Sequence, residues 1–318
     1  MTDSGQDPLN PSGPAPFVGA TERRNPRSAN IDVAEPLELV DLFVAEDGTV
    51  PAAVGRVRLE LAQAIGLVEG AFRQGGRLFY VGAGTSGRLG VLDASECPPT
   101  FGTAPEMVQG IIAGGQDALV HSIEGAEDDP AAGRAAIDVR GVTARDVVVG
   151  IAASGSTPFV HAALARAREV GARAIFLTCA VPPAAARASV DLVIHIVVGP
   201  EIVTGSTRLK AGTATKLALN ILTTGAMVRL GKTYGNLMVD LQATNAKLRD
   251  RGERIVMEVL EVDRRAAREA LMQAGGAVRT AIVMLHDRLT REGAESRLAE
   301  VDRRLRAIVG PPPPVVDA

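Results

Sequence analysis

The stretch Leu78-Phe-Tyr-Val-Gly-Ala-Gly-Thr-Ser-Gly-Arg-Leu-Gly-Val-Leu-Asp-Ala-Ser-Glu-Cys-Pro-Pro-Thr-Phe-Gly102 decides how the rest of the chain reads. Apolar residues 78–81 predict a buried strand, and Gly82, Gly84 and Gly87 let the backbone turn sharply after it. Thr85 and Ser86 then set two hydroxyls beside free backbone N–H groups where a helix should begin. Such a helix start suits an anion, because its unpaired donors carry partial positive charge. Glu96 follows in Ser95-Glu-Cys-Pro-Pro99, where the two prolines predict that any helix stops. A carboxylate is thus expected on an irregular segment close behind an anion-binding loop.

Outward from this stretch, strand-like apolar runs recur at residues 107–113, 147–152, 174–178 and 192–197. Helical patterns and Gly/Ser turns separate them, which is the alternation of a parallel sheet wrapped by helices. The expected fold class is therefore α/β, a parallel five-stranded sheet flanked by helices. Before the sheet, a short helix is expected from Pro36 to Val44, then one helix from Pro51 to about Phe72. After it, a long apolar helix is expected over Leu209–Leu230 and another over Asn236–Arg249. Residues 252–309 predict three shorter amphipathic helices, interrupted at Ala274-Gly-Gly276. The domain reading is a disordered segment 1–20, a main domain 21–250, a helical subdomain 251–309 and a Pro-rich tail 310–318.

Composition narrows the function classes. Only 3% of residues are aromatic and none is Trp, so the core must be built from Ala, Val, Leu and Ile. The formal net charge is −3 with basic residues dispersed, which favours neither nucleic acid nor an anionic membrane as partner. No apolar run is long enough for a membrane span, and the N-terminus lacks a secretory pattern. Cys97 and Cys179 form no disulfide framework and fit a reducing, cytoplasmic setting. Four histidines without ligand spacing predict no metal site.

Gly82-Ala-Gly-Thr-Ser-Gly87 also matches the dinucleotide pattern, but the acidic residue that pattern needs at the end of the next strand is missing. Two neighbouring hydroxyls suit a single phosphate better. A second hydroxyl loop, Ser154-Gly-Ser-Thr157, again follows a strand and precedes a helix. Two such loops on one sheet point to a crevice at a switch point of strand order. Thr204-Gly-Ser-Thr207 adds a third cluster, and Lys210 is a candidate fixed cation or, equally, a solvated residue after a helix cap. Substrate contacts are therefore expected from Gly84, Thr85, Ser86, Ser154, Ser156, Thr157, Ser206 and Lys210. The acidic run Glu124-Gly-Ala-Glu-Asp-Asp129 supplies further carboxylates, Glu127 among them, and also reads as an ordinary acidic helix start.

Over roughly residues 21–300 the chain resembles the N-acetylmuramic acid 6-phosphate etherases of the sugar isomerase (SIS) superfamily, whose sheet is flavodoxin-like. The resemblance rests on Gly82–Gly102, Ile112-Ala-Gly-Gly115, Glu124-Gly-Ala-Glu-Asp128, Gly150-Ile-Ala-Ala-Ser-Gly155, Val203–Lys216 and Tyr234-Gly-Asn-Leu-Met-Val-Asp240. One departure is Ser156, where the family usually carries Arg. The resemblance implies a lyase that cleaves the C3 lactyl ether of the phosphorylated sugar to N-acetylglucosamine 6-phosphate and D-lactate. It implies Glu96 as proton donor and Glu127 as second catalytic glutamate, no cofactor or metal, and a homodimer with the site near its interface.

Two carboxylates suit that chemistry. The C2 proton of the open-chain sugar is acidic beside the C1 aldehyde, and its removal lets the C3 oxygen leave once protonated. Water then adds back at C3. A buried, protonated Glu96 beside an ionised Glu127 is the arrangement expected. A phosphosugar isomerase or a non-catalytic sugar-phosphate regulator would share the fold and the phosphate loops but not need both glutamates.

Overall fold

The computed structural model describes residues 19–241 and 245–315. Residues 1–18, nearly all of the segment expected to be disordered, lie outside the described residues.

Five parallel strands form the sheet: β1 (Leu78–Gly82), β2 (Val108–Ile112), β3 (Val147–Ile151), β4 (Arg173–Thr178) and β5 (Leu192–His195), in the order β2-β1-β3-β4-β5. Helices α1 (Pro36–Asp47), α2 (Val50–Arg56), α3 (Arg58–Arg73), α4 (Gly84–Phe101), α5 (Pro130–Val139), α6 (Pro158–Glu169), α7 (Ala184–Ala188) and α8 (Lys210–Arg229) surround it. Successive side chains of β1 enter opposite layers. Leu78 and Tyr80 join a cluster with α3, α4 and α8, whereas Phe79 and Val81 join one with α5 and α6. Both faces are covered, which is why the strands read as unbroken apolar runs. Each fully buried Val, Ile or Phe contributes roughly 1.5–3 kcal/mol.

The amino-terminal edge of the sheet is tied by carboxylates. Asp146 accepts hydrogen bonds from the backbone N–H of Arg77 (2.8 Å) and of Thr143 (2.8 Å), and from Arg77 Nη2 (2.9 Å). Asp191 does the same for the N–H of Ala174 (2.8 Å). Burial alone would raise the Asp146 carboxyl, but Arg77 and those backbone donors outweigh it and hold the group below the ordinary value.

Three expectations need correction. The helix expected over residues 51–72 breaks at Val57 (φ −103°, ψ 25°) into α2 and α3. Gly55 and the β-branched Val57 weaken helix preference there, and the break lets both halves turn their apolar residues onto the core. Pro98 and Pro99 do not stop α4, which continues to Phe101 and ends at Gly102 in the left-handed conformation (φ 60°). The prolines fall in the last turn, where they remove only the hydrogen bonds to Ala94 and Ser95, and buried Cys97 and Phe101 hold that turn on the core. The helix expected from Asn236 instead starts at Ala246. Asn245 caps it by accepting from the N–H of Leu248, and residues 234–237 form a tight bridge.

That helix, α9 (Ala246–Leu260), spans the boundary read at residue 250 and packs with α10 (Arg264–Gln273), α11 (Val278–Asp287), α12 (Arg291–Glu300) and α13 (Arg306–Val309). They enclose a third apolar cluster that includes Tyr234, Val256, Leu271, Ile282 and Leu298. No helix among the described residues is long and apolar enough to cross a membrane.

Candidate active site

Strand order reverses between β1 and β3, so their carboxyl ends open onto a crevice. Gly82 and Gly87 make the turn out of β1 possible. A Cβ on Gly82 would lie 2.7 Å from the Gly87 nitrogen, and one on Gly87 would lie 2.8 Å from the Gly82 oxygen. α4 therefore starts directly above its strand. Ala83 provides no side-chain cap, so the amides of Gly84, Thr85 and Ser86 have no partner among the described residues. The Thr85 and Ser86 hydroxyls stand beside them, half-exposed. The result is an open, positively polarised helix start.

The second hydroxyl loop leaves the adjacent strand. Gly82 pairs with Ile151 in the register, and Ser154, Ser156 and Thr157 follow within six residues of it. Ser154 and Ser156 are exposed, and their hydroxyls lie 3.4 Å apart. His161, one turn into α6, donates from Nε2 to the Gly155 carbonyl at 2.9 Å and packs at a tilt against the Phe176 ring, fixing the loop's shape. With Ser at 156, this loop carries no cation of its own.

The third cluster reaches the same place through α8. A Cβ on Gly212 would lie 3.6 Å from Thr85 Cγ2, so the first turns of α4 and α8 touch, with half-buried Ser206 just before α8. The start of α8 is closed, however. Glu201, fully buried, accepts from the N–H of Lys210 (3.0 Å) and of Ala211 (2.9 Å). Burial raises the Glu201 carboxyl and those two amides oppose it. Of the two readings of Lys210, the solvated residue does not hold: its charge is fixed, but by a buried carboxylate. Its Nζ is buried 2.6 Å from Glu46 Oε2, and Glu46 also receives Asn25 Nδ2 at 2.9 Å and pairs with Arg27 at 3.0 Å.

The acidic run folds back to the open helix start. Arg88 of α4 donates to the carbonyls of Leu119 (3.0 Å) and His121 (2.8 Å), drawing residues 119–127 over the turn. Gly84, Arg88, Ser122, Glu124 and Glu127 line one cavity of about 150 Å³. Within the run the carboxylates divide their tasks. Asp129 caps α5 by accepting from the N–H of Ala132, Glu124 takes the Ser122 hydroxyl at 3.1 Å, and Glu127 is exposed at the cavity.

Glu96 stands elsewhere. It is exposed on α4, not buried on an irregular segment, and ten residues beyond Ser86. At 1.5 Å per residue that is about 15 Å along the helix axis. The two glutamates are thus at opposite ends of α4 within one chain. One turn before Glu96, Asp93 is buried and accepts from Tyr80 Oη (3.0 Å), Asn220 Nδ2 (2.7 Å) and Thr223 Oγ1 (2.9 Å), which locks α4 to β1 and α8. Burial raises this carboxyl, and its donors oppose the rise. Cys97 packs in the core, its thiol pushed up to about 12 by burial, which removes it as a nucleophile at neutral pH.

Arg88, Asp93 and the Glu201 cap escaped the sequence reading. Asp93 had a usable signal, a single carboxylate between apolar neighbours on a helix. Glu201 had none, because a cap nine residues away in sequence is visible only once the chain folds.

The chain is similar to several known proteins. The model described as glucokinase regulatory protein N-terminal SIS domain matches residues 60–168, and the SIS domain model matches residues 131–225. The N-acetylmuramic acid 6-phosphate etherase of Trichodesmium erythraeum is 53% identical over 90% of this chain and 93% of its own. The etherase of Gloeobacter violaceus is 58% identical over 83% and 86% respectively. Among solved structures, a phosphoheptose isomerase from Francisella tularensis is 14% identical with a TM-score of 0.48, covering 61% of this chain and 100% of its own.

Proposed function

The chain belongs to the N-acetylmuramic acid 6-phosphate etherases, and on that premise we propose how its residues release D-lactate from the phosphorylated sugar. The reaction is that of a carbon–oxygen lyase. The 6-phosphate sits on the open start of α4, held by the amides of residues 84–86 and the hydroxyls of Thr85 and Ser86. Ser154, Ser156 and Thr157 close on it from the neighbouring loop, with Ser206 behind. Charge-assisted hydrogen bonds of this kind contribute roughly 1.5–3 kcal/mol each.

Glu127 is the general base that removes the C2 proton, and Glu96 is the acid that protonates the departing ether oxygen. The observation that carries this reading is the shared cavity of Glu127, Arg88 and Gly84 at the phosphate-binding helix start. Because Glu96 lies at the far end of α4, the Glu96 that serves this cavity comes from a second copy of the chain. Leu92, one turn before Glu96, is 51% exposed, and an apolar groove of about 360 Å³ lined by Val54, Leu61, Ile65, Leu217 and Ile221 lies on the α3–α8 side. These surfaces support a homodimer, and the two buried free thiols support a cytoplasmic setting.

The test mixes two inactive variants, E96Q and E127Q, and measures D-lactate release. Sites built across the interface regain activity on mixing, at about a quarter of the wild-type rate, since half of randomly assorted dimers carry one intact site. Sites complete within one chain regain none. Failure of wild type to release lactate would overturn the reaction itself.

A further inference from the structure

A second cavity, of about 560 Å³, lies between the end of α4 and the C-terminal helices, far from the open helix start. Its volume is that of an ordinary small-molecule site. Lys232, Asp240, Arg279, Thr280, Arg303 and Gly102 are among its walls. The charges do not balance. Lys232 Nζ lies 3.0 Å from Asp240 Oδ2 and Arg279 Nε 2.8 Å from Asp240 Oδ1, so two cations share one carboxylate. Arg303 offers no counter-charge, and its own guanidinium is turned away to Glu295.

Arg279 is 2% exposed. It donates from Nη2 to the Gly231 carbonyl at 2.6 Å and from Nη1 to the Arg303 carbonyl. Despite its closeness to Asp240, the Nε–H does not point along that line and has no hydrogen-bond acceptor among the described residues. Burial pulls the guanidinium below its ordinary value, with Asp240 opposing. A buried cation in this state gains from an added anion. The start of α11 adds donors: Ala277 gives no side-chain cap, and the amides of Val278 and Thr280 have no partner among the described residues.

We propose that this cavity binds a small organic anion, a carboxylate or phosphate ester no larger than a monosaccharide phosphate, as an effector distinct from the substrate. Lys232, Arg279 and the first turn of α11 hold the anion. The effect reaches the catalytic helix through Gly102. A Cβ there would sit 2.4 Å from the Asp240 backbone carbonyl oxygen, so the last turn of α4 rests directly on the backbone of the segment that carries the cavity's carboxylate. Filling the cavity fixes Asp240 and with it the end of the helix that bears Thr85, Ser86 and Glu96.

Calorimetric titration of the full chain at constant ionic strength, with inorganic phosphate and separately with D-lactate, tests this. Where phosphate is the anion that fits, it binds at two sites per chain in the wild type and at one in K232M. In a T85V/S86A variant, whose substrate loop is weakened, the anion that fits still binds in the cavity, and adding K232M weakens that binding at least ~10-fold, the loss of one charge-assisted contact. The arm that binds tells phosphate from carboxylate. No binding of either anion in T85V/S86A, or binding there that K232M leaves unchanged, overturns the site. Hydrogen exchange reads the coupling: amides of residues 100–102 slow on binding, and unchanged exchange with the cavity filled overturns the effector role. Lactate release by the wild type is measured separately, so failure here leaves the etherase reading untouched.

Discussion

The two edges of one sheet follow opposite rules. At the amino-terminal edge, Asp146 and Asp191 take up the N–H groups that open β1 and β4, and arginines neutralise both carboxylates. At the carboxyl edge, the start of α4 keeps its amides uncapped, and Ser154, Ser156 and Glu127 stand exposed. Satisfied polar groups hold strands together, whereas unsatisfied ones wait for a ligand. The same residue types thus serve cohesion at one edge and chemistry at the other, and the difference lies in what is left unpaired.

The sharpest way to break this contrast is E127Q at the carboxyl edge. It preserves size and removes the base, and kcat should fall at least ~100-fold with thermal stability within experimental error of wild type. A surviving rate would move the base to Glu124. D146N is its mirror at the other edge. It strips Arg77 of its counter-charge, and because Arg77 is partly solvated the loss should fall near the low end for a broken buried pair, about 3 kcal/mol in a urea titration. KM should not move. A change in KM larger than the change in stability would mean that the two edges are mechanically coupled.

S86A removes one phosphate hydroxyl while the amides remain, and KM should rise about tenfold with little effect on stability. The smallest effect is the most specific to the mechanism of cohesion. Asp146 titrates below its unfolded value in the folded chain, so its contribution is fully present above about pH 4 and is lost as pH falls through the folded pKa. The stability gap between wild type and D146N should therefore narrow only under acid conditions. A gap that stays constant down to pH 3 would assign the effect to packing.

Much of this was legible in the chain itself. Apolar runs buried on both faces marked all five strands, and Gly82-Ala-Gly-Thr-Ser-Gly87 marked the open helix start, because strand burial and tight turns are local properties. What the sequence hid was long-range. Pro98 and Pro99 carry a strong local signal to stop, yet buried Cys97 and Phe101 on either side of them keep the last turn helical. Lys210 had no visible partner because Glu46, 164 positions away, cannot be paired with it by inspection. The separation of Glu96 from Glu127 became measurable only when α4 was seen to continue between them. A local pattern names the parts, and tertiary packing decides which face each other.

The place of β1 in the sheet has a consequence for synthesis of the chain. β1 lies between β2 and β3, and Asp146 fastens Arg77, the residue just before it, across 69 positions. When only β1 and β2 have left the ribosome, β1 still has one edge unpaired and most of its apolar cover unmade. α8, which roofs it, arrives more than a hundred residues later. Non-local parallel pairing of this kind folds slowly and leaves sticky intermediates. In a nascent chain stalled before residue 147, β1 can pair on one edge only, and its second partner becomes available when β3 emerges.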